Sequence, residues 1–534
     1  MNRTERDRLN QAGLVVGESV LRAIGDKGRE RLNHMNSSSD SSTPNRLTSN
    51  DPAFPPFWAH QTTFPIHHQG AVYRPGTEND EDAAFELLKE LAPGYDREMF
   101  LGALTEPGYR PERRLVVEWA GRLVSQLTMI PRRLIIGAAR VACQDIRGVG
   151  TLPEYRGRGY AQNLVRLAEA LARRRPDAQR PATPAGGSVV TPSPAVWKST
   201  GSHPLGSSLP IASAGLLTIA TTMPAFFQAL GWTPVGRPRA LAIPSRILPA
   251  IADAPLERHE VDPDRPESWR VRPWRQVELL DLMRLYQIQF GSTTGALERS
   301  EEHWRWLVSR RLAHAVLVAC VGDEVGGYVF IKDHRVLEIA HNPARPSALT
   351  ALLGRVRAEA LERAYPVVAL FAPENHPARR LVVEPSASSL SRGGPPSWTA
   401  FDPADPDEIV AMVRVVDPVR LLLDLLPELE QRHLADHPGE PLELGFQVES
   451  RKALVKLGTE PGQARIELDR VGRRRFQLSA PSFTQLVLGG VEDPAALIAA
   501  DSTSSASGRS AVEAARRLFP PQPFWRGPLD LAER

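Results

Sequence analysis

The hexapeptide Arg156-Gly157-Arg158-Gly159-Tyr160-Ala161 places two glycines and two arginines between a β-like segment and a helical one. Glycine tolerates the left-handed backbone of a tight turn and lets main-chain N–H groups approach a ligand. The amides that open a helix also have no acceptor within it. With Arg156 and Arg158 beside them, the amides from about Arg156 to Ala161 are suited to holding a pyrophosphate. A strand-turn-helix with solvent-facing arginines is the competing reading of the same residues. No Gly-Lys-Ser/Thr follows the glycines, as a Walker loop needs, and Asp177, near the spacing for the acid of a dinucleotide fold, falls in a proline-rich breaker.

The elements that must position this turn are legible on both sides. Before it, Arg140–Leu152 carries Val141, Cys143, Ile146, Val149 and Leu152, a strand with an irregularity near Gly148. After it, Ala161, Leu164, Val165, Ala168, Leu171 and Ala172 recur at helical spacing and predict one buried face. Upstream, Ala71–Arg74 reads as a first strand, and Asp80 precedes an amphipathic helix through Ala83, Leu87 and Leu91. Leu115–Trp119 and Leu123–Ile130 form a hairpin around Ala120-Gly121-Arg122, with a break at Arg132-Arg133. Downstream, Pro176–Ser213 is rich in Pro, Gly, Ser and Thr and reads as an exposed insertion. Gly215–Ala220 is then another buried strand, and Met223, Phe226, Phe227 and Leu230 are a helical face ending at Gly231-Trp232.

This order, with its Arg-x-x-Gly-x-Gly/Ala-like loop, resembles the acetyl-CoA-binding motif of the GNAT acyltransferase superfamily. The segment Phe226–Trp232 resembles the short helix that follows the fifth strand there. Over residues 71–534, apart from the insertion, the arrangement resembles the enhanced-intracellular-survival (Eis) acetyltransferase family. That resemblance implies an active GNAT domain, a degenerate second one and a sterol-carrier-like C-terminal domain. The fold class is then α/β (α+β), with tandem mixed-sheet domains and a final α+β unit. The domains fall at 1–69 (a disordered extension in which 11–34 could be helical), 70–250 (with the insertion at 176–213), 265–390 and 405–534. In the second domain Ala344-Arg345-Pro346-Ser347 lacks the glycines of a second cradle. In the third, Met412–Val416 precedes a leucine-rich helix from Val419 to Leu429, and the leucines of a later short helix, Ser482–Gly490, build either a core or a lipid pocket.

The implied reaction moves an acetyl group from acetyl-CoA to a primary amine of a small molecule, peptide or protein. The loop residues Arg156, Gly157, Arg158, Gly159, Tyr160 and Ala161 would bind the cofactor, and main-chain amides near Val149 or Thr151 would polarise the thioester carbonyl. Two features depart from the Eis pattern. The position expected to carry a tyrosine general acid is Phe227, which has no proton to give, and the terminal residue is Arg534 in place of an aromatic one. Asp145, Glu118 and the Arg534 carboxylate remain as candidate bases, while Tyr155 and Tyr160 lie at the pyrophosphate end. A noncatalytic acyl-CoA-binding or scaffold protein is the alternative.

The 534 residues call for two to four domains, and a formal charge of +3 provides no nucleic-acid footprint. Two cysteines, Cys143 and Cys320, in apolar surroundings predict buried thiols in a reducing, cytoplasmic setting. The N-terminal residues lack the pattern of an export signal, and no apolar run is long enough to span a membrane. The histidines lack a matching cysteine or acid cluster for a metal. No Gly-x-Ser-x-Gly elbow supports a hydrolase. Homo-oligomerisation is implied by the resemblance alone.

Overall fold

The computed structural model describes residues 64–173, 189–190, 213–238, 240–250, 268–382, 409–436 and 439–531. The expected N-terminal extension lies outside them except at its end. There Ile66–His68 forms β1, which pairs antiparallel with β2 (Ala71–Pro75), so strand structure is present before Gln69. Ile66 is buried opposite Tyr73, an anchor concealed by the polar composition around it.

The first sheet continues through α1 (Glu81–Leu91), α2 (Arg97–Leu104), β3 (Arg114–Trp119), β4 (Arg122–Ile136), β5 (Ala139–Thr151) and α3 (Tyr160–Arg173). Ala120 and Gly121, both at positive φ, join β3 to β4 in a two-residue hairpin turn that matches the strand twist. The expected break at Arg132-Arg133 does not occur. β4 runs on to Ile136 and turns at Gly137, because Arg132 is buried against Glu106 and an ion-paired arginine can remain inside a strand. The chain then gives β6 (Val189–Val190), β7 (Leu216–Thr221), α4 (Pro224–Ala229), β8 (Thr233–Gly236) and β9 (Ala240–Pro244). Two residues of the expected insertion, β6, thus pair with a C-terminal strand, Arg465–Leu468; the rest lies outside the described residues.

The second domain contributes β10 (Arg270–Pro273), α5 (Leu279–Phe290), α6 (Glu301–Ser309), β11 (Ala315–Val321), β12 (Glu324–Lys332), β13 (Arg335–His341), α7 (Pro346–Glu362) and β14 (Val367–Phe371). The third contributes β15 (Val410–Val415), α8 (Pro418–Asp436), β16 (Leu442–Val448), β17 (Arg451–Leu457), β18 (Arg465–Leu468), β19 (Arg475–Leu478), α9 (Ala480–Val487), α10 (Pro494–Ala500), β20 (Ser505–Ala506) and α11 (Arg509–Leu518). The fold is mixed α/β, as expected, but its sheets ignore the linear domain boundaries.

The strand orders are β1-β2-β3-β4-β5-β7-β15-β8, β10-β11-β12-β13-β14-β9 and β20-β19-β16-β17-β18-β6. Hence β15, expected to open the 405–534 unit, lies between β7 and β8 of the first sheet, and β9, which falls inside the expected 70–250 domain, completes the second. The burial of β15 on both faces explains its central position: Met412 and Val413 are inaccessible from either side. Phe446 packs against Phe476, Phe483 and Phe519, and Leu486 and Leu488 of the segment Ser482–Gly490 are buried in the same apolar cluster.

Candidate functional site

The parallel ladder between β5 and β7 runs only from Cys143↔Leu216 to Ile146↔Ile219. Beyond it, β5 continues to Thr151 on β4 alone, and a bulge shifts its register between Thr128↔Arg147 and Gln126↔Gly150. Gly148 sits in that bulge at φ +58°, a conformation that a side chain would strain. The two parallel strands therefore separate where β5 kinks, leaving its inner edge without a sheet partner on the β7 side.

The turn that follows is short. Pro153–Tyr155 makes one 3-10 turn, and Gly157 and Gly159 take φ values of +79° and +77° before α3 begins at Tyr160. A methyl group on Gly157 would meet nothing within 4 Å. The first-turn amides of α3 point out of its start without helical acceptors, and the macrodipole adds positive potential there. Arg156 Nε donates to the Thr151 carbonyl, which ties the turn to the end of β5. The Arg158 guanidinium lies 5.5 Å from the Trp119 ring centre and 5.2 Å from that of Tyr155, so the arginine is held at the mouth of the turn. These residues fit a pyrophosphate: two glycines at positive φ, one of them open to solvent space, a helix start and two cations.

Tyr160 is buried, with its ring 6.4 Å from those of Tyr73 and Trp119, and so packs the underside of the turn. Val149 and Ala161 are partly exposed beside the opening. Thr151 Oγ1 is within 2.9 Å of Ser125 Oγ, which also donates to the Gly150 carbonyl.

The sequence-predicted acid–base candidates are not brought together. Phe227 is 3% exposed and packs edge-on against Phe226 and Trp232, whose indole N–H donates to Glu169. Glu118 accepts from Arg74, which also makes two bonds to Asp80. Asp145, read as a candidate base, is neither exposed nor free. It accepts from Thr218 at 2.6 Å, Arg147 at 2.9 Å and Arg526 at 2.9 Å. Burial raises its pKa, but the Arg526 and Arg147 charges outweigh that effect and hold it below the usual carboxylate range. The Arg534 carboxylate lies outside the described residues.

What sequence reasoning missed is the group of buried charges around Asp145. Arg147, immediately before the bulge, donates to Asp145, to Glu106 and to the Asp530 carbonyl. Arg132 pairs with Glu106. Asp530 accepts from Arg299, which also makes two bonds to Glu338. The segment Phe524–Leu531 thus passes between the first and second sheets and contacts both. No local signal marks this arrangement, because its partners are distant in the chain.

A second short parallel ladder lies in the sheet of β10 to β14. The β13–β14 ladder is parallel only at Arg335↔Ala369 and Val336↔Leu370. Past that point His376 Nδ1 accepts from the Ala378 amide and Nε2 donates to the Ile339 carbonyl, so a buried imidazole fills the edge. At the start of α7, Pro346 has no N–H and Trp269 donates to Ser347, which closes the helix terminus to a phosphate.

With the split strands and the glycine turn in place, the comparison with protein families is decisive for one segment. Residues 72–179 match the acetyltransferase (GNAT) domain. The match runs from β2 through α3 and includes the turn. No curated protein matches the chain. Among solved structures, a GCN5-related N-acetyltransferase from Kribbella flavida aligns with a TM-score of 0.57 at 16% identity, covering 85% of this chain and 97% of that one. A GCN5-related N-acetyltransferase from Anabaena variabilis gives 0.56 at 14% identity, covering 85% and 99%. Eis1 from Mycobacterium abscessus gives 0.50 at 16% identity, covering 85% and 98%. These likenesses extend the shared fold well beyond the GNAT domain itself. Among the described residues, no helix is long and apolar enough to cross a membrane.

Proposed function

We propose that the chain is an acetyl-CoA-dependent N-acyltransferase that moves an acetyl group to a primary amine. The observation that carries this reading is the separation of β5 from β7 immediately before the glycine turn at Gly157–Gly159. Amides from Gly157 to Ala161 would hold the pyrophosphate, assisted by Arg156 and Arg158. The unpaired edge of β5, around Val149 and Thr151, would hold the acyl carbonyl by main-chain N–H donation. Acetyl-CoA would supply an activated acyl carbon and a thiolate leaving group.

The chain's own contribution is mainly positioning. The attacking amine must arrive neutral, form its C–N bond as the C–S bond breaks, and lose one proton that the thiolate gains. Phe227 cannot relay that proton, and Asp145 and Glu118 are held by arginines. Water at the opening is then the relay. Isothermal titration with acetyl-CoA tests the donor site, and a folded protein that shows no binding would sink the proposal.

A second reading, an acyl-CoA-binding protein without turnover, is favoured by the absence of a proton donor at Phe227. Acetyl-CoA binding without amine-dependent thiol release across a broad amine panel would select it.

A further inference from the structure

We propose that Gln126 contacts the acceptor amine and that the acceptor is a monoamine on an apolar chain; this rests on the acyltransferase reading above. Gln126 lies on β4 opposite Gly150, one side of the bulge, while Thr128 lies opposite Arg147 on the other. Cross-strand partners project from the same face of a sheet, so Gln126 shares the α1 side of the sheet with the kink at Gly148–Gly150. Its side chain is 1% exposed, yet its carbonyl oxygen has no hydrogen-bond partner among the described residues. Buried amide groups are normally bonded, and an orphan beside a site opening is accounted for by a donor that arrives with a ligand.

The neighbouring glycines let α1 lie close against this place. A methyl group on Gly148 would lie 3.8 Å from Gln126 Nε2 and 3.5 Å from a Leu88 methyl, and one on Gly150 would collide with Leu91. The walls offered by α1 are therefore aliphatic. The nearby carboxylates, Asp145 and Glu106, are bonded by Arg147 and by Arg526 or Arg132. No unpaired carboxylate is then offered to a polycation by this group. A neutral carboxamide oxygen suits the nucleophilic form of an amine, whose N–H it can accept without stabilising the unreactive ammonium.

Gln126→Met and Gln126→Leu separate ligand contact from a structural role. Relief of an unmet buried acceptor predicts an unchanged or higher Tm, whereas loss of a structural hydrogen bond would lower it. With phenethylamine as acceptor and thiol release as readout, KM for the amine should rise about tenfold, while the Kd for acetyl-CoA by titration stays within about twofold. Kanamycin should be the poorer acceptor for the unsubstituted protein. A lowered Tm, an unchanged amine KM, preferred turnover of kanamycin, or no amine-dependent release by a protein that binds acetyl-CoA would each overturn the assignment. Failure of the unsubstituted protein to bind acetyl-CoA would instead remove the donor reading.

Discussion

Arg526 Nη2 donates to Asp145 Oδ2 at 2.9 Å, joining the C-terminal segment to the strand that carries the bulge. Both side chains are almost wholly buried, and Thr218 bonds to each. A buried ion pair contributes little relative to an apolar pair, but removing one member strands the other charge.

Asp145→Asn or Arg526→Ala is accordingly expected to cost about 3–5 kcal/mol of stability, read as a lowered midpoint of chemical unfolding. The double substitution Asp145→Leu with Arg526→Leu should cost less than the sum of the two single changes to leucine. Additive losses would show that the two groups are not coupled.

At the turn, Gly157→Ala and Gly159→Ala each place a Cβ on a left-handed backbone, a strain of about 1–2 kcal/mol. Gly159→Ala is expected to weaken acetyl-CoA binding by tenfold or more, since the amides beside it must converge on the pyrophosphate. Arg156→Ala and Arg158→Ala should weaken it less, with an effect that shrinks at high salt. Titration calorimetry at two ionic strengths measures each of the four.

Phe227→Tyr adds a hydroxyl at the position where the resembled family carries its general acid. Such an acid contributes about 100-fold or more where it is well placed. An increase of about tenfold or more in amine-dependent thiol release is expected, with the pH optimum moved; no change would mean that position 227 does not face the departing thiolate.

Three buried histidines predict acid lability. Burial lowers the pKa of His376 to about 3 and of His341 to about 4. Burial, followed by the charges of Arg132 and Arg299, holds His303 well below its usual value. Between these values and about 6.5 the unfolded chain binds more protons, so stability is present above pH 6.5 and lost as the pH falls. At pH 5 the loss is about 2 kcal/mol each for His341 and His376. Unfolding midpoints at pH 7.5 and pH 5.0 should show this slope, reduced in His376→Gln.

The glycine turn, the bulge at Gly148 and the helix after Tyr160 were legible because each depends on local rules: positive φ, strand irregularity and a repeating apolar face. Arg132 was misread as a break for the converse reason. A charge in a strand signals solvent unless a partner is known, and Glu106 becomes that partner only through folding. The same limit hid Asp145, whose partner Arg526 is 381 residues away. It also hid the place of β15, whose composition announces a strand without saying which sheet it joins.

The placement of β15 has a consequence for synthesis. The first sheet cannot close between β7 and β8 until residue 415 has left the ribosome, and Asp145 remains without Arg526 for more than a hundred residues longer. The glycine turn is made early, yet the sheet behind it is finished late. A chain interrupted between Ala161 and Arg526 would carry the motif without its support, so possession of the ligand-holding loop and competence to use it are separated by more than half the length of the chain.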